Sequence, residues 1–290
     1  MTDVDVLRMA VFTDRPEGGN PAGVVLDAGA LSEAEMLAIA ADVGYSETAF
    51  VTGRAADGEV TLRFFSPHAE VPFCGHATLG TAVALAARAS GDELYTFSTR
   101  AGLIRIRTRR TDGGLVEASF TSVEPVVSEL DPVVLDRLLA LLTVDGRSVE
   151  SSDLADDYPP RISNAGNPHP VVVFSDAEVF DSLTFDPEAM RALMDEQRWT
   201  GTVTLLLPAE DGFAARNPFP VGRITEDPAT GSAAASTGAY LRELGVLELP
   251  ARVTIHQGEH VGRPGVLTVD IPLVGGITVS GTAVELPSAG

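Results

Sequence analysis

Hydrophobic and polar positions change period several times along the chain, and each change marks an element. In LSEAEMLAIAADVG the apolar residues recur at helical intervals, Ser32 and Glu35 stand at capping-box spacing, and Gly44 is placed to end the helix in a left-handed turn. TAFV and VTLRFFS, which follow, predict strands. In GHATLGTAVALAARAS apolar and small residues crowd nearly all round, the pattern of a helix enclosed by strands rather than lying on a surface. Alternation returns in LIRIRT and LVEASF, so the first half predicts a strand-rich layer around one buried helix.

The second half repeats that order. NAGNPHPVVVF echoes GGNPAGVVL, TVTLLLPA and FAARNPF predict strands, and GSAAASTGAYLREL predicts a second small-residue helix. Glu70, Pro72, Gly75 and Ala77 recur as Glu226, Pro228, Gly231 and Ala233, while Gly19-Asn20-Pro21 recurs as Gly166-Asn167-Pro168. An internal duplication accounts for both echoes and their order. One domain is expected over residues 1–122 with a returning strand at about 276–290, the other over 123–275. The crossover is expected in the acidic stretch from about Ser122 to Asp157, which carries a short helical run, VVLDRLLALL.

Composition narrows the chemistry. With 290 residues, 44% of them hydrophobic, the chain has ample material for a core. MTDVDVLRMAVFTDRPEGGN carries acidic residues where a signal peptide needs positive charge, and no apolar run approaches a membrane span, so a soluble cytoplasmic protein is expected. A formal charge of -21 repels phosphate backbones and anionic headgroups, which argues against nucleic acid and membrane as partners. Every basic side chain is arginine. Without lysine there is no Schiff-base or pyridoxal chemistry and no P-loop, and no G-x-G-x-x-G is present, so no cofactor is expected. The one cysteine, Cys74, can form neither an internal disulfide nor a zinc site by spacing.

Each E-x-P-x-x-G element leads into the start of a buried helix, where unpaired N-H groups and the positive end of the helix dipole favour an anion. If the halves pack about a pseudo-twofold axis, both starts can face one cleft and bind a small carboxylate. Gly75 and Gly231 would let a ligand approach the backbone, or simply allow tight helix packing. His256 and His260 flank Gly258 and follow the strand-like RVTI, so no metal site is expected there.

The segments GNPAGVVL, GYSETAFV, FCGHATLGTA, GNPHPVVVF, EDPATGSAAA and QGEHVGRPG, taken in order over nearly the entire chain, resemble the PhzF family of phenazine-biosynthesis isomerases, within the diaminopimelate epimerase-like fold. The resemblance implies an α+β fold of two pseudo-symmetric domains. Each would be a curved, mostly antiparallel sheet wrapped around a central helix, with the site between them, no cofactor, and a homodimer.

In the related epimerases two cysteines work as acid and base on opposite faces of a carbon; the matching positions here are Cys74 and Thr230. A threonine hydroxyl is too weak an acid for that role, so two-thiol racemisation is not open to this chain, and Cys74 reads as a small packed hydrophobe. Glu47 matches the family's catalytic glutamate. It lies among Tyr45, Ala49, Phe50 and Val51, an apolar neighbourhood suited to a carboxyl that takes up and returns a proton near neutrality. Asp227 and His76 match positions that hold or polarise substrate, although Asp227 also reads as a helix cap and His76 as a satisfied first-turn histidine. The N-H groups of Gly75 and Gly231 and the hydroxyl of Ser232 are expected to donate to a carboxylate. Asn20, Asn167 and Ser46 complete the expected substrate-binding set, Asn before proline being ordinary turn chemistry as well. Arg263 has a family match and no derived role. The expected activity is cofactor-independent isomerisation of a small unsaturated or cyclic carboxylate, 2,3-dihydro-3-hydroxyanthranilate-like, by a single glutamate. The alternatives are an epimerase using Glu47 with a second acid, Asp227 or Cys74, and a non-catalytic carboxylate receptor.

Overall fold

The computed structural model describes residues 4–89 and 92–287. Ser90 at the end of the predicted buried-helix segment, residues 288–290 of the predicted returning strand and residues 1–3 of the N-terminal segment lie outside the described residues. The chain forms two compact units, one from residues 1–120 with 280–290, the other from 121–279.

The first unit runs β1 (Leu7–Val11), β2 (Asn20–Val25), α1 (Glu33–Val43), β3 (Thr48–Arg54), β4 (Val60–Phe65), β5 (Glu70–Val71), α2 (Gly75–Ala86), β6 (Glu93–Thr99), β7 (Gly102–Arg110) and β8 (Val116–Thr121). α1 begins and ends as its sequence predicts: Ser32 and Glu35 form the capping box, and Gly44 closes the helix at φ 72. α2 is enclosed, every residue from His76 to Ala86 being buried. Its small residues make that possible, since a Cβ at Gly80 would stand 3.1 Å from the Val11 side chain of β1.

The second unit runs β9 (Val126–Glu129), α3 (Pro132–Leu141), β10 (Leu142–Val144), β11 (Arg147–Ser148), β12 (Arg161–Asn164), β13 (Pro168–Val173), α4 (Ala177–Ser182), β14 (Thr184–Phe185), α5 (Pro187–Gln197), β15 (Thr204–Ala209), β16 (Gly212–Arg216), α6 (Gly231–Leu244), β17 (Ala251–Gln257) and β18 (Gly265–Ile271). The final strand, β19 (Thr278–Glu285), pairs with β1 and lies beside β8, which closes the first unit's sheet around α2. α6 is buried from Ala233 to Leu241, and a Cβ at Gly238 would fall 2.8 Å from both Ile277 and Val269.

The strands of the two units share one pairing grammar. In the first unit β1–β2 is antiparallel, β2–β3 parallel, β3–β4 antiparallel, β4–β6 parallel and β6–β7 antiparallel. In the second, β12–β13, β13–β15, β15–β16, β16–β17 and β17–β18 follow the same series. Registers agree up to the β-bulge after Val51 in β3, once Pro21 is matched to Pro168. Val24 pairs with Ala49 where Val171 pairs with Thr204, and Phe50 pairs with Arg63 where Leu205 pairs with Arg216. Arg63 and Arg216 are therefore equivalent, as are Glu47 and Thr202.

The acidic stretch that carries the expected crossover packs into the second unit's body. Leu138, Leu139, Leu142 and Val144 join Phe180, Leu193, Met194 and Trp199 in one core cluster, while β11, β10 and β14 form a small separate sheet. α5 was not expected, yet Asp186 caps it with Pro187 in its first turn, a start signal present in the sequence.

Candidate active site

The first glutamate of each duplicated element has a structural task. Glu70 receives both Arg63 Nε at 2.7 Å and Nη2 at 2.6 Å, and Arg100 joins at 2.7 Å. The Arg63 guanidinium holds the Glu70 carboxyl below the usual carboxylate range. Glu226 receives Arg216 Nε at 3.3 Å and Nη2 at 2.6 Å, while Arg216 Nη1 donates to the carbonyls of Phe180, Asp181 and Leu183. Both arginines stand at equivalent strand positions, so the clamp itself is duplicated and anchors the loop that starts each central helix.

At the start of α2, Cys74 occupies the cap position without a side-chain cap bond, leaving the first-turn N-H groups uncapped by it. Its thiol donates to Glu47 Oε2 at 3.5 Å and lies 3.4 Å from His76 Nδ1. His76 Nε2 stands 3.7 Å from the same Glu47 oxygen. The Glu47 side chain is only 23% exposed and that of His76 9%. Cys74 is thus more than the packed hydrophobe expected: it is buried, and its sulfur bridges the two ionisable groups. These three residues place one donor atom each within 4.8 Å of one another, a sulfur, nitrogen and oxygen set suited to a soft divalent cation. No metal site had been expected; the histidines weighed for one, His256 and His260, pair separately with Asp211 and Asp181 beside a cavity of about 280 Å³. Gly75 is not required for packing, because a Cβ there would meet only the Phe73 ring at 3.9 Å. The Ser46 hydroxyl, next to Glu47, is buried and makes no hydrogen bond.

At the start of α6, Thr230 holds the corresponding cap position. Its hydroxyl donates to Asp227 Oδ2 at 2.5 Å and accepts from Gln257 Nε2 at 2.9 Å, while its N-H donates to Gln257 Oε1 at 3.0 Å. Gln257 Nε2 also donates to the Asp227 carbonyl at 2.7 Å. Asp227 is therefore held from both ends, and the position that carries cysteine in the epimerases has its proton engaged by Asp227. Sequence reasoning missed Gln257, which reaches this loop from the end of β17. It also missed Asn217, whose backbone carbonyl accepts from Asp227 N at 2.9 Å and whose buried amide makes no hydrogen bond.

Ser232 has a partner inside its own unit. Its hydroxyl lies 3.1 Å from Nε2 of His169, a fully buried histidine on β13. His169 Nδ1 lies 3.0 Å from the Thr202 carbonyl. Burial pushes the imidazole down to about 4, so the ring is neutral at ordinary pH. The paired asparagines also diverge: Asn20 is buried, whereas Asn167 is half-buried with its Oδ1 accepting from Thr200 at 3.4 Å. Within the first unit the structure brings together Glu47, His76, Gly75 and Ser46; within the second, Asp227, Gly231 and Ser232.

Among the described residues, no helix is long and apolar enough to cross a membrane. The family model for phenazine biosynthesis-like proteins, PhzC-PhzF, matches residues 9–289. The Bacillus subtilis protein named uncharacterized isomerase YfhB is 29% identical, over 98% of this chain and 97% of its own. The trans-2,3-dihydro-3-hydroxyanthranilate isomerase of Pseudomonas chlororaphis is 31% identical over 88% of this chain and 86% of its own. The crystal structure of a phenazine biosynthesis protein of the PhzF family from Bacillus anthracis superposes with a TM-score of 0.84 at 26% identity, covering 99% of this chain and 98% of that one. A hydroxyproline epimerase from Agrobacterium vitis, 12% identical with a TM-score of 0.61, shares the fold alone. With its sequence matched from β1 onward and its mixed, sheet-rich fold reproduced in solved relatives, the chain belongs to the PhzC-PhzF family of phenazine biosynthesis-like proteins and is an isomerase.

Proposed function

We propose that this chain moves a proton between carbons of a small unsaturated or cyclic carboxylate, of the 2,3-dihydro-3-hydroxyanthranilate kind, with Glu47 as the single acid/base. The observation that carries this reading is the Glu47 carboxylate, mostly buried and in contact with Cys74 and His76 where α2 starts. Glu47 takes a proton from a carbon next to the unsaturation, and the electrons of that C-H bond move into the conjugated system. His76 and the first-turn N-H groups stabilise the charge that develops. Glu47 then returns the same proton to a second carbon on the same face, leaving no net redox change. Asp227, Gly75, Gly231, Ser232, Ser46, Asn20 and Asn167 are assigned to holding the substrate. Family resemblance supports action as a cytoplasmic homodimer without a cofactor.

Contact geometry favours this over an epimerase built from Glu47 and Cys74. Two groups attacking opposite faces of one carbon need about 3 Å each to that carbon, so about 6 Å between them. The 3.5 Å contact between Glu47 and Cys74 leaves no room for a substrate carbon. Turnover of 2,3-dihydro-3-hydroxyanthranilate in deuterated water, with product analysis by NMR, tests the reading. A shifted double bond with same-face delivery is expected, and Glu47→Gln should lower turnover about 10²- to 10⁴-fold. Wild-type turnover by the glutamine variant overturns the assignment; an inverted, deuterated carbon favours the epimerase.

A further inference from the structure

We infer that His169 fixes the Ser232 hydroxyl with its proton pointing into the protein, so that the first turn of α6 offers the ligand a hydrogen-bond acceptor and selects carboxylates that also carry an N-H or O-H donor. The inference rests on the isomerase reading for its ligand class but not for its geometry.

The direction of the chain of hydrogen bonds follows from its inner end. The Thr202 carbonyl can only accept and lies 3.0 Å from Nδ1, slightly nearer than the Thr202 hydroxyl at 3.1 Å; a bare nitrogen there would set lone pair against lone pair, so the arrangement that bonds both oxygens puts the hydrogen on Nδ1. A neutral imidazole has one N-H, which leaves Nε2 with a lone pair facing Ser232 Oγ at 3.1 Å. The hydroxyl has one proton to give and gives it there. Ser232 is half-buried, so its remaining lone pairs are what a ligand meets. A carboxylate oxygen at that spot would face like charge density, whereas an amine or hydroxyl would be bonded.

The imidazole is closely packed in this arrangement. A Cβ at Gly201 would fall 2.5 Å from His169 Cε1 and 2.6 Å from Nε2, so the ring lies edge-on against bare backbone. Thr202 Oγ1 stands 3.1 Å from Nδ1 and is close to Thr204 Oγ1, which closes the inner side.

The duplication shows the same device arranged differently in the other unit. The repeated E-x-P-x-x-G element matches Ser232 to His76, and strand register matches Thr202 to Glu47 and His169 to Ala22. In the first unit the imidazole comes from the helix and reaches the Glu47 carboxylate directly. In the second the helix carries only a serine, and an imidazole from the strand bridges it to Thr202. The first histidine sits beside an ionisable partner; the second has none and serves as a positioning residue for a hydroxyl.

The test uses the full chain labelled with ¹⁵N-histidine, observed by two-bond ¹H–¹⁵N correlation NMR from pH 5 to 8. One ring is expected to keep Nδ1 protonated and Nε2 bare across the range, its signals vanishing in His169→Gln. An Nε2-protonated tautomer, or double protonation above pH 6, overturns the inference whether or not the chain proves to be an isomerase. Calorimetry then compares 3-hydroxyanthranilate, which carries amine and hydroxyl donors, with benzoate, which carries neither. Ser232→Ala should weaken 3-hydroxyanthranilate by about three- to tenfold and leave benzoate within about twofold. Equal losses, or a greater loss for benzoate, overturn the acceptor assignment. If neither probe binds, the spectrum decides alone.

Discussion

Replacing Arg216 by alanine should be among the most damaging single changes in the second unit, and the structure says by how much. Arg216 and Glu226 are each only 8% exposed, so the substitution leaves a carboxylate in a poorly solvated place without its partner. Breaking a buried pair from one side costs about 3–5 kcal/mol. Three backbone carbonyls, of Phe180, Asp181 and Leu183, lose a donor as well, which brings the total to about 5 kcal/mol or more. That is comparable to the whole stability of many domains. Glu226→Gln should cost less, about 1–3 kcal/mol, because the amide can still accept from Arg216 and the guanidinium keeps its three carbonyls. Trp199 is the single tryptophan and sits in the second unit's core, so urea unfolding followed by its fluorescence reads this unit directly. The expected order is wild type, then Glu226→Gln, then Arg216→Ala. The reasoning fails if Arg216→Ala costs less than about 1 kcal/mol, or if the glutamine variant is as unstable as the alanine one.

Three further outcomes are expected. His169 is held near 4 in the folded chain against an ordinary histidine value of about 6.5, so below the ordinary value the unfolded chain binds the proton more readily and stability falls as pH drops from about 6.5 to about 4. The full loss is about 3 kcal/mol, and His169→Gln should flatten that slope in Trp199-monitored unfolding. Gly19→Ala should destabilise far more than Gly44→Ala in thermal unfolding: both glycines have positive φ, but a Cβ at 19 would lie 2.2 Å from the Val11 carbonyl, whereas at 44 it would meet nothing within 4 Å. Cadmium added to the wild type should produce a thiolate charge-transfer absorption and block turnover, and Cys74→Ala should abolish the absorption.

What the chain states on its own follows from local physics and from repetition. The capping box and Gly44 bound α1 because those groups act within a few residues of each other. The all-round small and apolar residues of α2 and α6 required enclosure, since no surface helix tolerates such a circumference. Repeated E-x-P-x-x-G and G-N-P elements announced a duplication whose strand registers then matched. Glu47, His76, Asp227 and Ser232 could be named because each lies in a short motif.

Partnership is what only the tertiary structure decided, because it joins residues far apart in sequence through strand registers that no local pattern encodes. Nothing near Glu70 or Glu226 points to Arg63 or Arg216 as clamps. Gln257 reaches Thr230 and Asp227 from the end of β17. Cys74 changes from packing atom to bridge once β3 brings Glu47 beside it. The sharpest case is Ser232, whose residue type suggests a donor. A carbonyl thirty residues away, acting through a buried histidine, makes it an acceptor, since the direction of a hydrogen bond is set by the partner with no choice.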